Sequence, residues 1–344
     1  MDGIVRALRD STDDLAAARY LWEQCFPEDS KAFVDWFFEN AYRPQHCLGV
    51  FNGRLLVAGL HMREHTFVWH EKKVKVMLVV GVGTLPAYRN QGLAKRVIAA
   101  AFEWMRGKGI SVCVLYPAQD YFYERFDFVT VAQSICFSFG SVPVTPQDLQ
   151  TICPGRDAVL LLPIYEKALR LAGSGLVRDR GGMQSRLHEW AADGGKLLLA
   201  GREEEPVAYG LCTLHGDTLH VEEWVDSQPQ EALLLQKLLS KGWKTKGWIP
   251  KAQQSVAWDG LKTESRPGTM LRVVDAAALA GAFPQLRSLI EPCKITDAIC
   301  PWNQGYQWVG GMRKNTQEVD TISSATLAQR VGKAIDDSCF WDRY

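Results

Sequence analysis

One stretch constrains this 344-residue chain more than any other: LVVGVGTLPAYRNQGLAKRVI, residues 78–98. Its first part, inside VKVMLVVGVGTL, is continuously apolar and reads as a buried strand. Its second part, Gln91–Arg106, sets Leu93, Val97, Ala101 and Trp104 at helical spacing, and Gly107 and Gly109 end the helix. A strand that turns at once into a helix aims unpaired N–H groups and the positive end of the helix dipole at one place, the electrostatics of a pyrophosphate site. Gly92 lets the backbone approach a ligand without a Cβ, Ala94 keeps the next contact small, and Arg89 and Lys95 add charge at the rim. Gly81 and Gly83 weaken or bulge the strand, leaving amides free for another partner. The turn is neither a dinucleotide fingerprint nor a P-loop, because it has no Gly-x-Gly-x-x-Gly and no Gly-Lys-Ser/Thr. The bare spacing Arg/Gln-x-x-Gly-x-Gly/Ala arises often by chance. Its weight comes from the strand before it and from the second buried strand, ISVCVLYP, after it.

Around this core the chain reads helix, helix, hairpin, strand, helix, strand. LAAARYLWEQCF and SKAFVDWFFENAY are helical, and Asn52-Gly53 between apolar runs is a hairpin turn in which both positions want positive φ. SVPVTPQDL reads as a linker, and part of the pattern then recurs. LLPIYEKALRL is helical, KLLLAGREEEPVAYGLCTL a hairpin, TLHVEEWV a strand and PQEALLLQKLLSKGW a helix. The tail offers a helix (AAALAGAF), strand-like pieces at KITDAIC and YQWVGG, and a last helix, SATLAQRVGKAI. The expected division is 1–140, a second copy at 141–272, and a small domain at 273–344.

Composition excludes some functions. Lys+Arg and Asp+Glu both number 39, so no global charge recruits nucleic acid or an anionic membrane. No apolar run reaches the ~20 residues of a membrane span. MDGIVRALRDSTDD lacks the apolar core of a signal peptide, so a cytoplasmic location is expected. The 9 cysteines are scattered without Cys-x-x-Cys pairs and read as reduced thiols. His61, His65 and His70 are not at ligand spacing, and no metal is expected.

VGVGTLPAYRNQGLAKRVI followed by YFYERFDF resembles the GNAT acetyltransferases, whose pyrophosphate loop has the Arg/Gln-x-x-Gly-x-Gly/Ala form. More narrowly the chain resembles the enhanced-intracellular-survival acetyltransferases, with two tandem GNAT modules and a sterol-carrier-protein-like C-terminal domain. IYEKALRLAGSGLVRDR, TMLRVVDAAAL and the tail carry this over nearly the whole chain, more loosely. The resemblance implies an α/β (α+β) fold of two tandem mixed-sheet modules. A sterol-carrier-like tail follows, abbreviated because few residues remain after Val273.

It also implies acetyl-CoA as co-substrate, contacted at Val82, Gly83 and Thr84, at Asn90, Gln91, Gly92, Leu93, Ala94 and Lys95, and at Ala118 and Gln119. The general acid falls on Tyr123, and the base on the terminal carboxylate of Tyr344. The acceptor would be a primary amine of a small basic substrate (an aminoglycoside, a polyamine or a lysine side chain), and the assembly a homo-oligomer, a hexamer. Where the first module has PAYRNQGLAKR the second has DSQPQEALLLQ, whose Glu231 and lack of glycine oppose a second coenzyme site.

Trp36, Phe37, Phe38 and Tyr42, with Asp35 and Glu39, read either as a core helix or as the wall of an amine pocket. Asp342 is a further candidate contact for a cationic amine. Two other classes stay open: a lipid or acyl-CoA carrier working through its tail, and a non-catalytic sensor that binds acetyl-CoA. Thioester turnover with an amine separates the enzyme from both.

Overall fold

Serines start the first two helices, each accepting a hydrogen bond from the amide three residues on: Asp14 N to Ser11 Oγ at 3.2 Å and Phe33 N to Ser30 Oγ at 3.0 Å. The structure, a computed structural model, describes residues 3–69, 72–202, 205–255, 258–259, 261–284, 286, 290, 292–308 and 320–335. The first elements are β1 (Ile4–Ala7), α1 (Thr12–Cys25), α2 (Lys31–Trp36), β2 (Cys47–Asn52), β3 (Leu55–Trp69), β4 (Lys72–Thr84), α3 (Leu93–Gly107), β5 (Val112–Leu115), α4 (Asp120–Glu124) and β6 (Val129–Thr130). Then come β7 (Gln133–Phe139), β8 (Gln150–Thr151), α5 (Pro154–Ala172), β9 (Ser174–Val177), α6 (Arg180–Ala192), β10 (Lys196–Arg202), β11 (Glu205–His215), β12 (Thr218–Asp226), α7 (Leu233–Lys241), β13 (Thr245–Pro250) and β14 (Thr263–Pro267). The rest is β15 (Met270–Val273), α8 (Ala276–Ala282), β16 (Cys293–Thr296), β17 (Gln307–Trp308), β18 (Asp320–Ser323) and α9 (Ser324–Ile335).

Two compact units result, both of mixed α/β type. The first gathers Met1–His65, Val74–Thr130 and Met270–Ala334, and the second includes Thr66–Lys73 and Val131–Thr269. In the first the strand order is β1-β2-β3-β4-β5-β15-β6, and β17-β16-β18 form a small separate sheet. In the second it is β14-β7-β13-β12-β11-β10-β8. Each unit includes a strand–helix–strand crossover with parallel pairing: β4–α3–β5 (Met77↔Cys113) and β12–α7–β13 (Leu219↔Thr245). This is the recurrence legible in the sequence.

The observed division differs from the one expected. β7 precedes the SVPVTPQDL segment yet pairs with β13 and β14, so the second unit opens at Val131 rather than at residue 141. The described part of 270–334 joins the first unit, because β15 inserts between β5 and β6, with Met270 opposite both Leu115 and Thr130. SVPVTPQDL itself includes a 3-10 turn, Pro146–Asp148, in which Thr145 N and Oγ1 donate to Asp148 Oδ2 at 2.8 and 2.7 Å. The first hairpin also shifts by one residue. Asn52 pairs with Leu55, so the two loop residues are Gly53 and Arg54, and only Gly53 takes positive φ, 62°. Glycine at the first loop position is the type II′ pattern, not the doubly left-handed turn read from Asn52-Gly53.

The seven-stranded sheet of the second unit is covered on both faces. α7 with Phe137, Trp224 and Trp258 packs one side, and α5 and α6 with Tyr165, Leu187 and Val225 pack the other. Glu223 is buried with two arginines: Arg178 donates to both its oxygens at 2.8 and 2.9 Å, and Arg186 Nε donates at 3.1 Å. Burial alone would raise the Glu223 carboxyl, but the facing guanidinium charges hold it below the usual carboxylate range.

In the first unit the Trp22 ring centres an aromatic cluster, with Phe37, His61 and Phe38 at centroid distances of 4.5, 5.2 and 5.9 Å. His61 is 7% exposed and lies 3.0 Å, Nδ1 to Sγ, from Cys47. Burial depresses its pKa to about 3 and raises that of the Cys47 thiol to about 12, so both are neutral at pH 7. The unfolded chain, with a histidine pKa of about 6.5, takes up a proton the folded chain refuses. Stability is therefore full above about pH 6.5 and falls as pH drops toward 3, by up to about 1.4 kcal/mol per pH unit. His61→Leu should flatten the difference between melts at pH 7 and pH 4.5. Identical pH slopes for wild type and variant would show that His61 is not the group that titrates.

Candidate active site

β4 and β5 pair only at Met77↔Cys113 and Leu78↔Val114. Beyond that point β4 runs on to Thr84, while β5 ends at Leu115 in a pairing with β15. Parallel strands that part in this way leave β4 backbone groups without a β5 partner, facing the gap. Gly81 starts the divergence with φ of 59°, and a Cβ there would lie 2.4 Å from the Trp22 ring. Only glycine fits a left-handed position under that indole.

The turn after β4 holds two left-handed residues, Asn90 (φ 61°) and Gly92 (φ 74°). Gly92 is the N-cap of α3, and no side chain caps the helix. Among the described residues the amides of Leu93, Ala94 and Lys95 have no backbone partner, and the first turn carries no acidic residue. Arg89 Nε donates to the Thr84 carbonyl at 3.2 Å, folding the rim back onto the strand end. Free amides, a helix dipole and two basic side chains form a cradle for an anion.

This cradle opens into a cavity of about 860 Å³. Of the residues singled out in the sequence, Val82, Gly83, Thr84, Arg89, Asn90, Gly92, Leu93, Ala94, Lys95, Ala118, Gln119 and Tyr123 line it. Gln91 is exposed beside the cradle and is not part of the wall. Tyr123 lies on α4, half-buried, its ring 5.0 Å from Phe122 and 5.9 Å from Phe128. Burial, aided by the nearby Cys113, pushes its pKa up to about 12, so its proton is held throughout the physiological range.

Asp35, Trp36 and Glu39 are not brought to this wall. Asp35 pairs with Arg19 and Lys31, whose hydrogen bonds lower its pKa; Trp36 is buried against Phe33; Glu39 is exposed. Phe37, Phe38 and Tyr42 pack around Trp22 and His61 as core. Asp342 and Tyr344 lie outside the described residues. The sequence reading did not single out Cys25 and Phe26 at the end of α1, Asp127, or Ala298 and Ile299, which also line the cavity. Asp127 sits inside the quoted FYERFDF, whereas nothing local signals Ala298 and Ile299.

The corresponding helix of the second unit, α7, also starts from a left-handed cap, Ala232 (φ 48°), beside a cavity of about 780 Å³. Glu205 and Glu231 line this cavity together with Arg202 and Lys237, so the net positive field of the first cradle is missing. Among the described residues no group of three or more His, Cys, Asp or Glu is placed to hold a metal, and no helix is long and apolar enough to cross a membrane. The 8 described cysteines are all free thiols.

The family described as "Acetyltransferase (GNAT) domain" matches residues 5–131. No curated protein sequence matches the chain. Among solved structures the chain is similar to a conserved protein of unknown function from Enterococcus faecalis V583 (13% identity, 99% of this chain and 100% of that one, TM-score 0.73). It is also similar to a GCN5-related N-acetyltransferase from Kribbella flavida (19%, 95% and 88%, TM-score 0.67). A third is Eis1 from Mycobacterium abscessus (18%, 95% and 88%, TM-score 0.68). At such identities these structures speak for the fold. Residues 5–131 are a GNAT acetyltransferase domain, a type of domain that uses acetyl-CoA and an acceptor, and the chain that carries it is an acyltransferase.

Proposed function

We propose that the chain is an N-acetyltransferase that moves acetyl from acetyl-CoA to a primary amine of a small basic substrate by direct attack. The observation that carries the reading is one cavity holding both the uncapped start of α3 and the protonated Tyr123. The pyrophosphate rests on the amides of Leu93–Lys95 with Arg89 and Lys95 at its rim, and the pantetheine arm lies in the gap between β4 and β5. A free amide near Val82 donates a hydrogen bond to the thioester carbonyl oxygen as the tetrahedral oxyanion forms, worth about 3 kcal/mol per donor. The amine nitrogen bonds to the carbonyl carbon, the C–S bond breaks, and the Tyr123 hydroxyl donates a hydrogen bond to the departing sulfur. For the base that takes the amine proton, the resemblance offers the Tyr344 carboxylate.

The finer family reading belongs to the same proposal: an enhanced-intracellular-survival-like acetyltransferase with a sterol-carrier-like tail, cytoplasmic, assembled as a homo-oligomer. The overall likeness to Eis1 supports it. The decisive measurement is thiol release from acetyl-CoA against kanamycin, spermidine and a lysine peptide. Turnover with at least one acceptor well above hydrolysis is expected. Tight acetyl-CoA binding without transfer to any of them would favour a sensor instead.

A further inference from the structure

Two segments of the cavity wall are tied to one buried cation behind them. Arg272 of β15 is 0% exposed and lies opposite Cys113 of β5. Its guanidinium donates to both oxygens of Asp297 at 2.8 and 2.7 Å and to the Val273 carbonyl at 2.8 Å. Asp297 also accepts from the amides of Ile299 (3.0 Å) and Cys300 (2.8 Å) and from Asn303 Nδ2 (2.9 Å). One carboxylate thus pins the turn whose Ala298 and Ile299 face the cavity.

The nitrogen that donates to Asp297, Nη2, also stands 3.9 Å from Asp127 Oδ2. Asp127 holds φ of 60°, accepts the Ser324 hydroxyl, and closes the turn after Tyr123, with the Phe126 and Phe128 amides donating to the Tyr123 carbonyl at 2.9 and 3.3 Å. A ring series runs alongside: Arg272 lies 5.5 Å over Phe102, Phe102 is 6.0 Å from Phe128, and Phe128 is 5.9 Å from Tyr123. A cation buried this deep costs more in desolvation than an apolar side chain of its size, so the strand does not need it for stability alone.

We propose that Arg272 is a positioning residue for acetyl transfer, holding the Tyr123–Asp127 turn, and with it the Tyr123 hydroxyl, in register with the Ala298–Ile299 wall. The proposal rests on Tyr123 acting as the hydrogen-bond donor to the leaving sulfur. Arg272 is not itself on the cavity wall, so it acts through other groups.

A double-mutant cycle on the full-length protein tests it, read by thiol release from acetyl-CoA with spermidine and with kanamycin. Arg272→Met should lower kcat at least about tenfold while KM for acetyl-CoA stays within about threefold, because the Arg89–Lys95 cradle is untouched. Arg272→Lys should recover part of the loss. In a Tyr123→Phe background, Arg272→Met should cost less than about twofold more, since the group it positions is already gone. Equal losses in the two backgrounds, or an unchanged kcat in folded Arg272→Met, overturn the proposal. Should Arg272→Met fail to fold by circular dichroism, Asp297→Asn, which keeps the shape and weakens the anchor, enters the same cycle and is judged by the same coupling. Wild type that turned over neither amine would fell the acetyl-transfer reading and this proposal with it, whereas additive losses in an active enzyme count against Arg272 alone.

Discussion

Tyr123→Phe is expected to lower kcat by about 100-fold or more while acetyl-CoA affinity stays within about twofold. The change deletes one hydroxyl and keeps the ring that packs on Phe122 and Phe128. A Tyr123 pKa of about 12 lies above that of the coenzyme thiol, about 8.5, so complete proton transfer in the ground state is unfavourable. The hydroxyl helps by donating a hydrogen bond to the sulfur as negative charge develops there, an interaction stronger in the transition state than in the bound substrate. The raised pKa also sets a pH signature. The donor stays protonated as pH rises through 10, so Tyr123 should contribute no alkaline fall in kcat below about pH 11. Turnover of the variant within about threefold of wild type would reduce Tyr123 to a packing residue.

Gly92→Glu should weaken acetyl-CoA binding at least about 100-fold and leave the protein folded. A Cβ at Gly92 meets nothing within 4 Å, so the side chain has room. The φ of 74° costs a non-glycine residue about 1 kcal/mol, partly offset because a carboxylate at a helix start is favourable by about 0.3–1 kcal/mol. That same carboxylate occupies the anion cradle and repels a pyrophosphate. Gly92→Ala is the control: it bears the backbone cost without the charge and should lose less than about tenfold. Titration calorimetry on both variants decides, and wild-type affinity in a folded Gly92→Glu protein would move the coenzyme elsewhere.

The parts of this site that the sequence declared are the ones set by local rules. A continuous apolar run makes β4, a 3.6-residue period makes α3, and Gly92 at the junction marks the left-handed cap, so the cradle was legible within twenty residues. Asp35 and Glu39 could be read two ways because acidic residues beside aromatics suit an amine pocket as well as a helix. What decides is Arg19 on α1, which claims Asp35, and Trp22, around which the neighbouring rings pack. No periodicity reveals such partners. Four-residue strands such as β9 and β15 carry too few residues for a pattern, and α6, with Met183 and Leu187 as its buried apolar residues, has too narrow a stripe to stand out. Ala298 and Ile299 reach the cavity only through long-range pairing, which sequence spacing does not encode.

The insertion of β15 between β5 and β6 also orders events in time. Val129 and Leu271 are neighbours in the sheet but about 140 residues apart along the chain. On a ribosome adding about 5–20 residues per second, the nascent first unit waits on the order of ten seconds for that strand, and longer for the residues still inside the exit tunnel. During that interval β5 presents an unfilled apolar edge, the kind of surface that chaperones hold and that aggregates when left bare. The strands of the second unit, β7 to β14, are made within that interval, and the last of them ends at Pro267, just ahead of Met270. The domain that starts first is therefore the one that finishes last.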